Sequence, residues 1–101
     1  MENTRVYPRS KEYIINTLYD IIELQNGTLI LSDAVRGVVY FKVSMYGHEW
    51  EYMYTIEEAR DNSGSPKERC SATLRIIGER RENAREFRRA FALLESMLDL
   101  G

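Results

Sequence analysis

The chain has a single cysteine and a single histidine, and each scarcity excludes chemistry. One thiol, Cys70, cannot form an internal disulfide, and one Cys beside one His cannot hold a structural zinc. The expected setting is therefore reducing and cytoplasmic. No apolar run approaches the roughly 20 residues that a spanning helix needs. The opening MENTRVYPRSK lacks the apolar core of a signal peptide, so a soluble intracellular chain with no membrane partner is expected. A formal charge of only −2 argues against bulk binding to nucleic acid or to a charged membrane surface. No G-x-x-x-x-G-K-[ST], G-x-G-x-x-G or H-E-x-x-H motif occurs, and no cofactor or metal is expected. Repeats and low-complexity tracts are missing too. One domain is expected over residues 1–101.

What is present centres on residues 37–58, where VVYFKVSMY and EWEYMYTIE flank Gly47-His48. A two-residue loop at that dipeptide, with Gly47 first as a type II′ turn favours, places Met45 opposite Trp50. Val43 then meets Tyr52, Phe41 meets Tyr54 and Val39 meets Ile56, all on one apolar face. The other face pairs Ser44 with Glu51, Lys42 with Met53, Tyr40 with Thr55 and Val38 with Glu57. A one-residue slip would carry charge to the apolar side, so the pattern is expected to fix the register.

The flanking segments follow the same logic. Residues 4–7 are short, β-branched and followed by Pro8, which suits an edge strand beginning a partly ordered N-terminus. Ser10 is the expected N-cap of a helix over 11–25, with Ile14, Leu18, Ile21 and Ile22 on one stripe and Ile15 beside it. Asn26-Gly27 ends it, the glycine being suited to the left-handed conformation. TLILS at 28–32 reads as a strand, and residues 60–69, rich in Asn, Ser, Gly and Pro, as a mobile loop. From Cys70, alternation puts Cys70, Ala72, Leu74 and Ile76 inward and Ser71, Thr73 and Arg75 outward. In the last segment Ala84, Phe87, Ala90, Phe91, Leu94 and Leu98 share a helical stripe, with Met97 at its margin.

The order β-α-β-β-β-β-α predicts an α+β fold: a two-layer sandwich in which an antiparallel sheet of four to five strands carries two helices on one face. Val6-Tyr7-Pro8, residues 33–41 and residues 81–98 carry a resemblance over nearly the whole chain. The layout resembles small bacterial and archaeal β-α-β4-α domains of uncharacterised function, and is similar to a truncated helix-grip fold. A full helix-grip sheet has more strands than this chain supplies. The resemblance thus implies a fold, with a long C-terminal helix closing over a curved sheet, and no site residue.

Three groups of residues are candidates for a site. Arg81, Arg85, Arg88 and Arg89 fall within about a 100° arc of the last helix, and Arg75 on the preceding strand could join them. Guanidinium forks bind phosphate bidentately, so this is the expected anion or nucleic-acid site. The same residues also suit a solvated helix face, part-neutralised by Glu86 three residues before Arg89, or contact with an acidic surface such as Glu49, Glu51 and Glu57. On the outer sheet face, Val38, Tyr40, Tyr46, Met53 and Ile77 form an expected interface for a second copy or another protein. An RNA platform there would need basic surroundings, which Glu51 and Glu57 oppose. Phe41, Trp50, Tyr52 and Tyr54, facing inward, are either core or the lining of a small apolar-ligand pocket under the last helix.

No catalytic residue is expected. His48 sits at the hairpin turn beside Glu49 without a cleft, and Cys70 faces inward as a small hydrophobe. The function read from these residues is a non-catalytic domain acting by protein–protein interaction or self-association through the open sheet face. The alternatives are a phosphate or nucleic-acid binder and a small apolar-ligand binder.

Overall fold

The computed structural model describes residues 3–45, 47–58, 69–78 and 84–100. Tyr46, Arg81 and nearly all of the expected loop at 60–69 lie outside the described residues. The elements are β1 (Thr4–Tyr7), α1 (Lys11–Leu24), β2 (Thr28–Asp33), β3 (Val38–Met45), β4 (His48–Glu58), β5 (Cys70–Ile77) and α2 (Ala84–Met97). The strands make one antiparallel sheet in the order β1-β5-β4-β3-β2, so β1 and β2 are its edges. Both helices cover one face. This is the α+β arrangement that the alternation and the two apolar stripes imply.

The inner face is built from every second residue of the three central strands. Val39, Phe41, Val43, Tyr52, Tyr54, Ile56, Cys70, Ala72 and Leu74 are all buried, with Met45, Trp50 and Ile76 packed at the margin. Ile14, Leu18 and Ile21 of α1 and Phe87, Phe91 and Leu94 of α2 close over them in one cluster. Each such side chain taken from water contributes about 2 kcal/mol. Phe41 stacks on Tyr54 with ring centres 6.0 Å apart, and Phe91 meets Tyr54 edge-on at 6.2 Å.

The hairpin differs from expectation in register, though not in faces. Val43 pairs with Trp50, Phe41 with Tyr52 and Val39 with Tyr54, and the closing pair is Met45 with His48. Gly47 is thus the second of two connecting residues, with φ +74°, and His48 is already strand. The shift is two residues. With a side-chain period of two, such a shift keeps every apolar residue inside, so the hydrophobic pattern cannot resist it. Loop geometry makes the choice instead.

Helix ends also depart in detail. Ser10 caps α1 as expected, its Oγ accepting from the Tyr13 amide at 3.1 Å. At the other end Asn26, not Gly27, adopts the left-handed conformation, with φ +53°. The Asn26 amide donates to the Glu23 carbonyl at 3.1 Å and the Gly27 amide to that of Ile22 at 2.7 Å, a Schellman ending. Gly27 is needed for a different reason: a β-carbon there would lie 2.9 Å from Cγ1 of Val43. α2 ends the same way, with Asp99 at φ +61° and the Leu100 amide donating to Glu95 at 2.8 Å.

Two glutamates fasten α2 to the sheet. Near its start Glu86 accepts from the Tyr52 hydroxyl of β4 at 2.5 Å and from Arg89 Nε at 3.1 Å. Near its end Glu95 accepts from Arg5 Nη1 at 2.6 Å and from the Tyr7 hydroxyl at 3.1 Å, both on β1. The Arg5 guanidinium lies 5.1 Å over the Phe91 ring between them. Arg9 adds a bond to the Leu98 carbonyl at 3.0 Å. The apolar stripe of α2 is therefore bounded by a carboxylate pin at each end, a hydrogen bond from Tyr52 at the start and an ion pair with Arg5 at the end.

Candidate interaction surface

Pairing places the outer side chains in rows across the uncovered face. Arg75, Met53, Tyr40 and Leu31 form one continuous row across β5, β4, β3 and β2. On one side of it lie Ile77, Glu51, Lys42 and Thr28; on the other lie Thr4, Thr73, Thr55, Val38 and Asp33. Of the residues expected to form an interface, Val38, Tyr40, Met53 and Ile77 all lie on this face and are half-buried by their neighbours. Tyr46 falls outside the described residues. The Tyr40 hydroxyl donates to Glu51 Oε1 at 3.1 Å. Burial, then the Glu51 carboxylate, raises the Tyr40 hydroxyl above its ordinary value. Lys42 Nζ sits 4.0 Å from Glu49 at the rim. The result is a mixed strip, apolar and aromatic along Met53, Tyr40 and Leu31, with Arg75 at one end of that row and Glu51 and Lys42 along one border.

The sequence reading missed Leu31, which extends that row to the edge of the sheet. A bulge between Leu29 and Leu31 sets Leu29 opposite Phe41 and Leu31 opposite Tyr40, so the two leucines occupy opposite faces. The trace of it in the sequence is three successive apolar residues, Leu29-Ile30-Leu31, where a half-buried strand would alternate.

The arginines do not converge as a single stripe. Arg75 projects from the outer face, whereas α2 lies on the inner one, so the sheet separates it from the helical arginines. Arg89 turns toward the core, where it binds Glu86 and donates from Nη2 to the Tyr52 hydroxyl at 3.3 Å and to Met45 Sδ at 3.4 Å. Arg85 and Arg88 are exposed, and Arg81 lies outside the described residues. Of the arginines expected as an anion site on α2, Arg85 and Arg88 are the exposed ones among the described residues. The expected Glu86–Arg89 pairing is present.

The inward aromatics pack on one another. Trp50 stacks on Tyr52 at 6.5 Å, and His48 meets Trp50 edge-on at 4.8 Å. The space left among Phe41, Tyr52, Tyr54, Ile21 and Ala90 is about 10 Å³, room for one water at most and far too little for a small-molecule ligand. These rings serve as core here. Burial raises the hydroxyls of Tyr7, Tyr52 and Tyr54 well above the ordinary tyrosine value, with Glu95 reinforcing the effect at Tyr7 and Glu86 at Tyr52. Cys70 is buried.

A separate open groove of about 630 Å³ runs between the start of α1 and the β2–β3 turn. Lys11, Ile15, Tyr19, Val35 and Glu58 are among its lining, and Lys11 Nζ donates to the Val35 carbonyl across it at 2.7 Å. Among the described residues no group of His, Cys, Asp and Glu is placed to hold a metal ion. No helix of the described residues is long and apolar enough to cross a membrane. In comparisons with known proteins, the chain matches no family model and no curated relative.

Proposed function

We propose that this protein is a non-catalytic interaction domain that self-associates through the open face of its sheet. One observation carries the reading: the row Met53–Tyr40–Leu31 runs unbroken to the sheet edge, flanked by Val38 and Ile77, on a face that no helix of the described residues covers. The buried core commits both helices to the other face, and the Glu86 and Glu95 pins fasten α2 there. Tyrosine and methionine at the centre with charge at the border match the composition of interfaces. A homodimer in the reducing interior of a cell is the setting this reading implies.

Sedimentation velocity across a wide concentration range tests it. The native chain is expected to dimerise, and Tyr40→Glu with Met53→Glu to remain monomeric while keeping its far-ultraviolet circular dichroism. Dimerisation unchanged by that double substitution removes the open face from the reading.

A further inference from the structure

The two sheet edges are treated differently. β1 is four residues long, carries Arg5 and runs into Pro8, features that discourage pairing by another strand. β2 is six residues long, and from Thr28 to Ser32 it holds neither charge nor proline. Leu29, Ile30 and Leu31 are 45%, 46% and 51% exposed. A strand of this composition at an open edge offers unpaired backbone groups beside uncovered apolar side chains.

The bulge decides what fits there. Thr28 lies opposite Lys42, Leu31 opposite Tyr40 and Asp33 opposite Val38, all on the outer face. Leu29 and Ser32 lie opposite Phe41 and Val39 on the inner face. Two antiparallel strands keep matching faces only if outer residues meet outer and inner meet inner. Pairing β2 with itself satisfies this when Thr28 meets the partner's Asp33 and Leu29 meets the partner's Ser32. Ile30 and Leu31, the residues around the bulge, then meet at the twofold axis. Without the extra residue, a self-pairing in that register would set outer residues against inner ones.

Charge agrees with the same register. Lys42 lies beyond Thr28 in the outer row. Each Lys42 thus stands two strands, about 10 Å, from the partner's Asp33 with the short Thr28 side chain between them, a span its long side chain can cross, and the twofold repeats the contact. Asp33 Oδ1 accepts from the Arg36 amide at 3.0 Å, whereas the ion pairs of Asp33 Oδ2 with Arg36 at 3.7 Å and of Lys42 with Glu49 at 4.0 Å are long and at the surface, and do not compete strongly. We infer that β2 pairs antiparallel with β2 of a second copy of this chain, about an axis between Ile30 and Leu31, joining two sheets into one. The self-matching face order and the exchanged charges single out a second copy over an unrelated peptide. This contact is at the sheet edge and stands independently of the open face.

A register-specific crosslink tests it. In the doubly substituted chain Leu29→Cys with Ser32→Cys, mild oxidation with oxidised glutathione is expected to give a covalent dimer. The two positions within one chain are about 10 Å apart, beyond disulfide reach, so the bond can form only between copies. Ile30→Lys, which sets two ammonium groups beside the axis, is expected to weaken dimerisation at least tenfold by sedimentation while the fold persists by circular dichroism. A folded Cys pair that stays monomeric on oxidation, or an Ile30→Lys chain that sediments as the native one does, overturns the edge pairing. If Met53→Glu dissolves the dimer and Ile30→Lys does not, the edge pairing fails and the open-face reading stands. The reverse result supports the edge and removes the face. A larger assembly that loses one contact to each substitution supports both, and a chain monomeric at every concentration removes both.

Discussion

The Tyr52 hydroxyl donates to Glu86 Oε1 at 2.5 Å, tying the middle of β4 to the first turn of α2. Burial alone would raise the Glu86 carboxyl, but hydrogen bonds from Arg89 and Tyr52 together outweigh it and hold the group below its ordinary value of 4.5. Tyr52→Phe is expected to cost about 1 kcal/mol and Glu86→Gln about 2 kcal/mol, since the second removes a charged acceptor from two donors. In thermal melts these correspond to a fall in Tm of roughly 5–15 °C.

The same carboxyl makes stability depend on acid. A group whose folded value is depressed adds stability above its unfolded value, and that stability is lost as pH falls through the folded one. The native chain should lose stability below about pH 4.5, the unperturbed value at Glu86. The gap between native and Glu86→Gln should narrow over the same range. Denaturant melts at a series of pH values check this, and a constant gap would show that Glu86 ionisation is not coupled to folding.

At alkaline pH the tyrosines act in the opposite sense. Tyr7, Tyr52 and Tyr54 are raised from 10.0 in the fold, first by burial, so their contribution is complete below pH 10 and is lost as pH rises beyond it. Following tyrosinate absorbance, the signal of these three rings should appear only with loss of circular dichroism. A single smooth titration with the fold intact would contradict the packing of these three rings.

Gly37 is the residue whose substitution should cost most among the turns. It has φ +76°, its amide donates to the Asp33 carbonyl at 2.8 Å, and its carbonyl accepts from the Ile56 amide at 2.7 Å. An added β-carbon would stand 2.2 Å from the Ile56 carbonyl oxygen, where only the backbone of β4 could yield. Gly37→Ala is expected to destabilise by about 3 kcal/mol or more, from left-handed strain plus that clash.

Asp99 should respond in the other direction. It holds φ +61° just past the C-terminal end of α2, where its charge also faces the negative end of the helix dipole. Asp99→Gly relieves both effects and should stabilise by roughly 0.5–1 kcal/mol, measured as an upward shift in denaturant midpoint with unchanged m-value.

Faces, elements and core were legible in the sequence because they depend on short periods. Alternation from Val39, Trp50 and Cys70 placed three inner rows, and the stripes from Ile14 and Phe87 placed the two helices over them. The period of two settles which side a residue takes but is blind to a two-residue shift, so the pairing of Phe41 with Tyr52 was decided by the connection around Gly47. Long-range partners were equally hidden. That Glu86 and Glu95 serve as half-buried pins, that Arg89 turns inward while Arg85 does not, and that the sheet stands between Arg75 and α2 follow only from how the helix lies on the strands. The bulge at Ile30 shows the boundary most clearly. Three apolar residues in a row mark a broken alternation in the sequence, but which face each one takes, and hence what can pair with that edge, is set by hydrogen bonding to β3.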